Sequence, residues 1–247
     1  MAIVRSRNIF DPASETAFKL SRSKLELFLE CPRCFYIDRR LGIGRPTGPP
    51  FNLNKAVDTL LKKEFDIHRS AGTQHPLLEK YDVDVRPVSH EELDIWRENF
   101  QGVQYHHQPT HLIITGAIDD LWINSREEYI VVDYKATSKD EVIDKLNDTW
   151  HHQYRRQMEI YQWLLRANGY RVSPTGYFVY CNAGTDKTAF DGKLEFDVRL
   201  IAYEGNDDWV EGVIYRAKEC LMGSALPQAS PNCDYCTFAE ARARVER

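Results

Sequence analysis

The sequence predicts an α/β fold, with a central mixed β-sheet flanked by helices, from the order of its apolar patterns. Helical spacing of apolar residues dominates the first hundred residues, and segments rich in β-branched and aromatic residues begin after them. Helical and strand segments then alternate toward the end of the chain. Helices that precede a strand hairpin and then alternate with strands are typical of a mixed sheet covered by helices on both faces.

The helical segments carry recognisable signals at their ends. Ser23 and Glu26 have the spacing of a capping box, which predicts that a helix begins there. Pro32 suits the first turn of a second helix, which is expected to end near Gly42. Further helices are predicted over 54–65, 91–100, 153–167 and 207–221.

The strands are predicted over 112–123, 129–136, 172–180 and 194–201. The first two are long and are separated by a short polar segment, which predicts a β-hairpin. A length of 247 residues allows one large domain. We therefore expect a single domain over 1–247, with its core over about 21–222 and a C-terminal cysteine segment over 223–247, in which Cys233 and Cys236 lie in a loop.

The composition excludes several classes of protein. Aromatic residues make up 12% of the chain and no apolar run approaches the ~18 residues of a membrane span, so neither disorder nor a membrane protein is expected. The formal net charge is −5, but residues 49–148 alone hold nineteen acidic and eleven basic side chains. Net basic segments lie on either side of them. No signal peptide is recognised, so a cytoplasmic location is expected.

One predicted strand ends in an acidic and a basic side chain. Asp133 and Lys135 follow an apolar run, and alternate residues of a strand share a face. Fourteen residues before Asp133, Asp119 follows the preceding apolar run. Carboxylates that converge from paired strands form an oxygen site suited to Mg²⁺ or Mn²⁺, with the lysine beside it. A structural ion pair is the alternative that these residues leave open.

Three further polar residues fall on predicted helices. Gln157 and Tyr161 are four residues apart, so they share one face of a helix. Asp58 lies beside the apolar stripe of an earlier helix. An acid in such a place is either one member of an ion pair or a third metal ligand.

Taken in order, these residues resemble the motifs of the PD-(D/E)XK nuclease superfamily, and within it the RecB-like branch with the CRISPR-associated exonucleases. The motifs are the segments 23–33, 116–119, 131–135, 157–161 and 233–236. The resemblance implies a restriction-endonuclease-like core. It also implies that Asp119 and Asp133 bind Mg²⁺ or Mn²⁺ and that Lys135 is catalytic. Gln157 and Tyr161 are implied to support DNA binding and the active site.

Other acidic and basic residues are further candidates for the site. The family helix before the first acid often carries a metal-ligating histidine, and Asp58 stands at that place here, so it is a further predicted metal ligand. Arg155 and Arg156 are predicted phosphate contacts. Three arginines of the second helix either extend this basic surface or form a solvated helix face: Arg33, Arg39 and Arg40.

Four cysteines form two C-x-x-C pairs at opposite ends of the chain, Cys31 with Cys34 and Cys233 with Cys236. Two such pairs predict a four-thiolate metal site that joins the chain ends. The related nucleases typically hold a [4Fe–4S] cluster with one N-terminal and three C-terminal cysteines, whereas here Cys34 supplies the fourth thiolate. The resemblance favours a [4Fe–4S] cluster, and structural Zn²⁺ is the alternative.

These observations together predict a metal-dependent nuclease that hydrolyses phosphodiester bonds of DNA. The resemblance implies a single-stranded DNA exonuclease of DNA repair, recombination or CRISPR-type processing, with a helicase or a CRISPR adaptation protein as partner. The alternative is a non-enzymatic nucleic-acid-binding or scaffold protein that keeps the nuclease fold and the four-cysteine metal site. The complete set of Asp119, Asp133 and Lys135 argues against it, because a decayed site usually loses one member.

Overall fold

The computed structural model describes residues 3–141, 143–146 and 151–246. The chain divides into two compact units. The first consists of Met1–Pro49, Gln104–Thr115 and Asp208–Arg247, and the second of Pro50–Val103 and Gly116–Asp207. The expected single nuclease domain over residues 1–247 stays a prediction.

The strands, in chain order, are β1 (Ile3–Val4), β2 (Phe18–Ser21), β3 (Ile43–Gly44), β4 (Arg86–Pro87), β5 (Val103–His107), β6 (Leu112–Gly116), β7 (Asp120–Ile123), β8 (Tyr129–Thr137), β9 (Thr175–Ala183) and β10 (Phe196–Glu204). The helices are α1 (Arg22–Glu30), α2 (Pro32–Arg39), α3 (Asn52–Ala71), α4 (Pro76–Lys80), α5 (Leu93–Trp96), α6 (His152–Ala167), α7 (Val210–Met222) and α8 (Asp234–Val245). Among the residues described, no helix is long and apolar enough to cross a bilayer.

The second unit is built on a mixed sheet whose strands lie side by side in the order β10, β9, β8, β7, β4. β8 and β9 run parallel, and the other neighbouring strands run antiparallel. The central strand β8 contains a buried apolar run, Ile130 to Val132, which is expected of a strand covered on both faces.

Helices cover both faces of β8. On one face Phe65 of α3 stacks on Trp122 at 5.1 Å and on Tyr134 at 5.8 Å, measured between ring centroids. On the other face Gln157 of α6 donates a hydrogen bond to Asp133. Adjacent residues of a strand point to opposite faces, which places Tyr134 and Asp133 under different helices. The predicted mixed sheet flanked by helices is confirmed.

The predicted strand over 112–123 is in fact two strands. β6 ends at Gly116 and pairs with β2, whereas β7 begins at Asp120 and pairs with β8. Between them, Asp119 accepts the Tyr134 main-chain N–H through its side-chain Oδ2 at 2.8 Å. The side chain replaces a main-chain partner, so the ladder of β7 and β8 ends at Asp120 and the hairpin is shorter than predicted.

Most other predicted elements are present with shifted ends, and two differ more. The helix predicted over 91–100 keeps only the four residues of α5. The loop predicted around Cys233 and Cys236 ends at Cys233, and helix α8 begins at Asp234. Alanine and arginine are frequent in α8, and both are strong helix formers, which explains the helix.

The first unit contains α1, α2, α7 and α8 with two small sheets. β1 pairs with β3 in antiparallel orientation, and β6 lies between β2 and β5. Phe28 of α1 and Phe35 of α2 meet edge to face at 5.3 Å between ring centroids. The Tyr36 hydroxyl donates to the Gly223 carbonyl at 3.0 Å, which fixes α2 against the end of α7.

A buried carboxylate in the first unit collects three cations. Asp38 of α2 is 1% exposed and contacts Arg5, Lys24 and Arg39. Arg39 is itself only 2% exposed, so it is an internal ion-pair partner. The suggestion that Arg39 extends a basic surface or a solvated helix face is therefore wrong.

This ion-pair group predicts acid-sensitive stability. Burial raises the pKa of Asp38, but hydrogen bonds from Lys24 and Arg5 outweigh it and lower that pKa to about 2. A depressed carboxyl pKa stabilises the folded state above the unfolded pKa of about 3.9, and this stability is lost as the pH falls toward about 2. We expect Asp38→Asn to reduce the free energy of unfolding by roughly 2 kcal/mol or more at pH 7. Urea denaturation of both proteins should show this difference shrinking between pH 4 and pH 2, and a constant difference would contradict the expectation.

Candidate active site and metal centre

The candidate active site lies in the second unit, on the face of β8 covered by α6. Asp133 and Lys135 share this face as predicted, and the Lys135 ammonium contacts the Asp133 carboxylate. Asp133 is fully buried, whereas the Lys135 side chain is 15% exposed. Burial lowers the pKa of Lys135, but the charges of Asp133 and Asp119 outweigh it and raise that pKa above its usual value. Lys135 is therefore a cation at neutral pH.

Asp119 is brought to the same place by the break between β6 and β7. Its hydrogen bond with the Tyr134 N–H holds the carboxylate beside the strand that carries Asp133 and Lys135. Arg97 fixes the main chain at the break, because its Nε donates to the Asp119 carbonyl at 3.1 Å. The Asp119 side chain remains 24% exposed, so solvent and a ligand can reach it.

The glutamine and tyrosine of α6 also join this group. Gln157 donates through Nε2 to Asp133 Oδ1 at 2.7 Å and to the Tyr161 hydroxyl at 3.1 Å. Its Oε1 lies 3.5 Å from the Lys135 ammonium nitrogen. Because Gln157 and Tyr161 are four residues apart, both lie on one face of α6, as predicted. Gln157 therefore links the acid and the lysine of β8 to the helix above them.

The position of Tyr161 depends on the absence of a side chain at Gly116. A Cβ atom at Gly116 would lie 2.6 Å from the Tyr161 ring, closer than real contacts allow. We expect Gly116→Ala to displace Tyr161 and to lower the free energy of unfolding by about 1–3 kcal/mol. Gly212→Ala is the matched control. Gly212 lies in α7, and a Cβ added there would meet no neighbouring group within 4 Å outside its own helix. Its free energy of unfolding is expected to rise by about 0.5–1 kcal/mol. Equal effects in urea denaturation would contradict the close approach.

Asp58 lies on α3, and its side chain is partly exposed. Lys62, one turn further along α3, lies 3.0 Å from Asp58 and 3.6 Å from Asp119, measured from its ammonium nitrogen to the nearest carboxylate oxygen. Burial and the negative charge of Asp119 raise the pKa of Asp58. The two carboxylates are thus close enough to repel each other and share one ammonium group.

The donor chemistry fits a hard divalent cation. Three carboxylates face two ammonium groups, which leaves one net negative charge that a divalent ion would offset. The three aspartates do not form a ready-made cage: within the described part of the chain, the one set of donor atoms that all lie within 4.8 Å of one another belongs to the cysteines. A bound ion would compete with Lys62 for Asp58 and Asp119. Sequence reasoning missed Lys62, although its i, i+4 spacing from Asp58 was available.

The neighbouring Asp120 belongs to a separate, structural network. It is fully buried and accepts hydrogen bonds from Tyr134, Trp122 and Arg97 at 2.7, 3.1 and 2.7 Å. Arg69 also contacts it. Asp119 and Asp120 therefore point to different surroundings, and only Asp119 joins Asp133.

The structure gives the positions of the two arginines predicted to contact phosphate, but it does not test that role. Arg155 and Arg156 lie on α6 and are half-buried, so their role as phosphate contacts stays a prediction. Tyr154 of the same helix was not predicted, and its ring lies 4.6 Å from the Lys135 ammonium nitrogen. This cation–π contact gives Lys135 a third neighbour besides Asp133 and Gln157.

The candidate metal centre lies in the first unit and consists of the four predicted cysteines. Cys31, Cys34, Cys233 and Cys236 are all buried, and their sulfur atoms lie within 4.8 Å of one another. None of them forms a disulfide. The two ends of the chain therefore meet at one set of four thiol groups, which can bind a metal.

Comparison with protein-family models shows to which superfamily the chain belongs. The family model of the PD-(D/E)XK nuclease superfamily matches residues 58–241, well over half of the chain. The chain belongs to the PD-(D/E)XK nuclease superfamily. Among solved structures, the crystal structure of a protein named SSO0001 is similar to this chain, with 16% sequence identity, a TM-score of 0.42, and coverage of 93% of this chain and 87% of that one. No curated protein is significantly similar in sequence.

Proposed function

We propose that this protein is a metal-dependent nuclease that hydrolyses phosphodiester bonds of DNA. The observation that carries the proposal is the meeting of Asp119, Asp133 and Lys135 at one partly open site of a PD-(D/E)XK fold. Negative charge grows on the phosphate during phosphodiester hydrolysis. A lysine can stabilise this charge, and carboxylates can bind a metal ion that does the same.

Each residue has a proposed role. Asp119 and Asp133 bind Mg²⁺ or Mn²⁺, with Asp58 as a third ligand. Such an ion supplies a Lewis acid and an activated water when it is bound. Lys135 stabilises charge on the scissile phosphate and orients the attacking water. Gln157 and Tyr161 are positioning residues. Gln157 contacts the side chains of Asp133 and Lys135 and so holds them in place, and Tyr161 contacts Gln157.

The substrate and pathway follow from the motif resemblance. We propose single-stranded DNA as the substrate, exonuclease action as the mode, and the RecB-like branch with the CRISPR-associated exonucleases as the group. Repair, recombination and CRISPR-type processing are the matching settings, with a helicase or an adaptation protein as partner. At the four-cysteine site the resemblance favours a [4Fe–4S] cluster over zinc.

A cleavage assay tests the proposal. The wild-type chain is incubated with end-labelled single-stranded DNA, the matching duplex and RNA of the same sequence, each with Mg²⁺, Mn²⁺ or EDTA. We expect single-stranded DNA to be shortened with either metal and to stay intact with EDTA. Circular single-stranded DNA should resist the enzyme, because an exonuclease needs an end.

The outcomes separate the two candidate functions. Cleavage of circular single-stranded DNA would show that the protein is an endonuclease and not an exonuclease. Binding of single-stranded DNA without cleavage in either metal would contradict the enzyme and favour the scaffold protein.

A further inference from the structure

The spacing of the four sulfur atoms bears on which metal the cysteines bind. We propose that Cys31, Cys34, Cys233 and Cys236 hold one tetrahedral zinc ion and not the [4Fe–4S] cluster that the motif resemblance favours. This inference concerns the first unit only, and it stands or falls independently of the nuclease proposal.

The sulfur–sulfur distances match those around a single ion. Cys34 Sγ lies 3.5 Å from Cys233 Sγ and 3.6 Å from Cys236 Sγ, and Cys31 Sγ lies 3.8 Å from Cys236 Sγ. A zinc–sulfur bond of about 2.3 Å in a tetrahedron separates the sulfurs by about 3.8 Å. The observed separations therefore leave room for one ion at the centre.

The same distances do not fit a [4Fe–4S] cluster. Each thiolate of such a cluster binds a different iron at a corner of a cube, so the ligand sulfurs stand roughly 6 Å apart. All four sulfurs here lie within 4.8 Å of one another. To accept the cluster, every pair would have to separate by more than 1 Å, which means that the helices carrying them would have to move apart.

Both cysteine pairs are presented in the same way. Cys31 is the residue that precedes helix α2, and Cys233 is the residue that precedes helix α8. The second cysteine of each pair follows three residues later in the first turn. Main-chain N–H groups and the helix dipole at these ends favour negatively charged sulfur. Two helix ends thus deliver four thiolates to one point, which suits a structural ion.

A positive side chain lies against the sulfurs. Arg45 directs its Nη2 to Cys233 Sγ at 3.6 Å, stacks on the Tyr235 ring at 4.5 Å, and pairs with Glu30 at 2.6 Å. The main-chain N–H of Ser230 donates to Cys31 Sγ at 3.5 Å. Four thiolates around Zn²⁺ carry two net negative charges, and Arg45, shared between Glu30 and Cys233, places positive charge beside them.

Metal analysis of the full chain tests the proposal without any measurement of cleavage. The protein is produced with iron and zinc both supplied, purified without oxygen, and analysed for iron, zinc and acid-labile sulfide. We expect about one zinc per chain, no sulfide and no visible colour. X-ray absorption at the zinc edge should show four sulfur neighbours at about 2.3 Å.

Variants locate the ion. Cys236→Ser is expected to lower the zinc content severalfold or abolish it. Cys220→Ser is the matched control, because Cys220 lies on α7 outside the four-sulfur set and its loss should leave one zinc in place. Brown protein with iron and sulfide in equal amounts, one iron without sulfide, or zinc that survives in Cys236→Ser would each overturn the proposal.

Discussion

Replacing Lys135 by alanine is expected to slow the cleavage of DNA by about 10²- to 10⁴-fold. The ammonium group lies against Asp133 and is held by Gln157 on the face where Asp119 also lies. The charges of the two aspartates raise the pKa of Lys135, so the positive charge is present at the pH of the reaction. Its removal takes away the ammonium group that contacts the buried Asp133 carboxylate.

The chain contains its own control for this experiment. Asp191-Gly192-Lys193 repeats the spacing of Asp133 and Lys135, but it lies in an exposed turn. Lys193→Ala should therefore cleave at the wild-type rate in the same single-turnover assay. Equal rates for wild type and Lys135→Ala would show that the lysine has no catalytic role.

Asp120→Ala is expected to lower the free energy of unfolding by about 3–5 kcal/mol. Asp120 is fully buried and compensates Arg69 and Arg97, while it also accepts from Tyr134 and Trp122. Its removal leaves buried donors without their acceptor.

Asp66→Ala is the matched control. Asp66 pairs with the same two arginines but is 42% exposed, so its loss should cost no more than about 1 kcal/mol. Urea denaturation at pH 7 measures both losses. Similar losses for the two variants would mean that burial of Asp120 contributes little to its effect.

The sequence predicts correctly that Asp133 and Lys135 lie together, because this depends only on residues that are close in the chain. The alternation of side chains along a strand places Asp133 and Lys135 on one face, and the i, i+4 rule does the same for Gln157 and Tyr161. Their proximity to each other depends on which helix covers which face of β8. That choice is made by tertiary packing, and only the motif resemblance anticipated it.

The differences from the sequence predictions also have physical causes. The run 112–123 looks like one strand because β-branched residues continue through it, while the break at Asp119 depends on a distant N–H group, that of Tyr134. Arg39 is buried as the ion-pair partner of Asp38, and the sequence pattern alone does not show that the helix face carrying them is covered. The preference for a [4Fe–4S] cluster came from the family pattern, whereas the sulfur spacing, which the sequence does not reveal, argues for zinc.

Calorimetric titration of Mn²⁺ tests the proposed cation site most directly. Manganese is a hard cation that prefers carboxylates to thiolates, so the four cysteines do not compete for it. Wild-type protein is compared with the Asp119→Asn, Asp133→Asn double variant, after circular dichroism has confirmed that both are folded. We predict that the wild type binds Mn²⁺ and that the double variant loses this binding. Identical titration curves for the two folded proteins would contradict a catalytic metal site at Asp119 and Asp133.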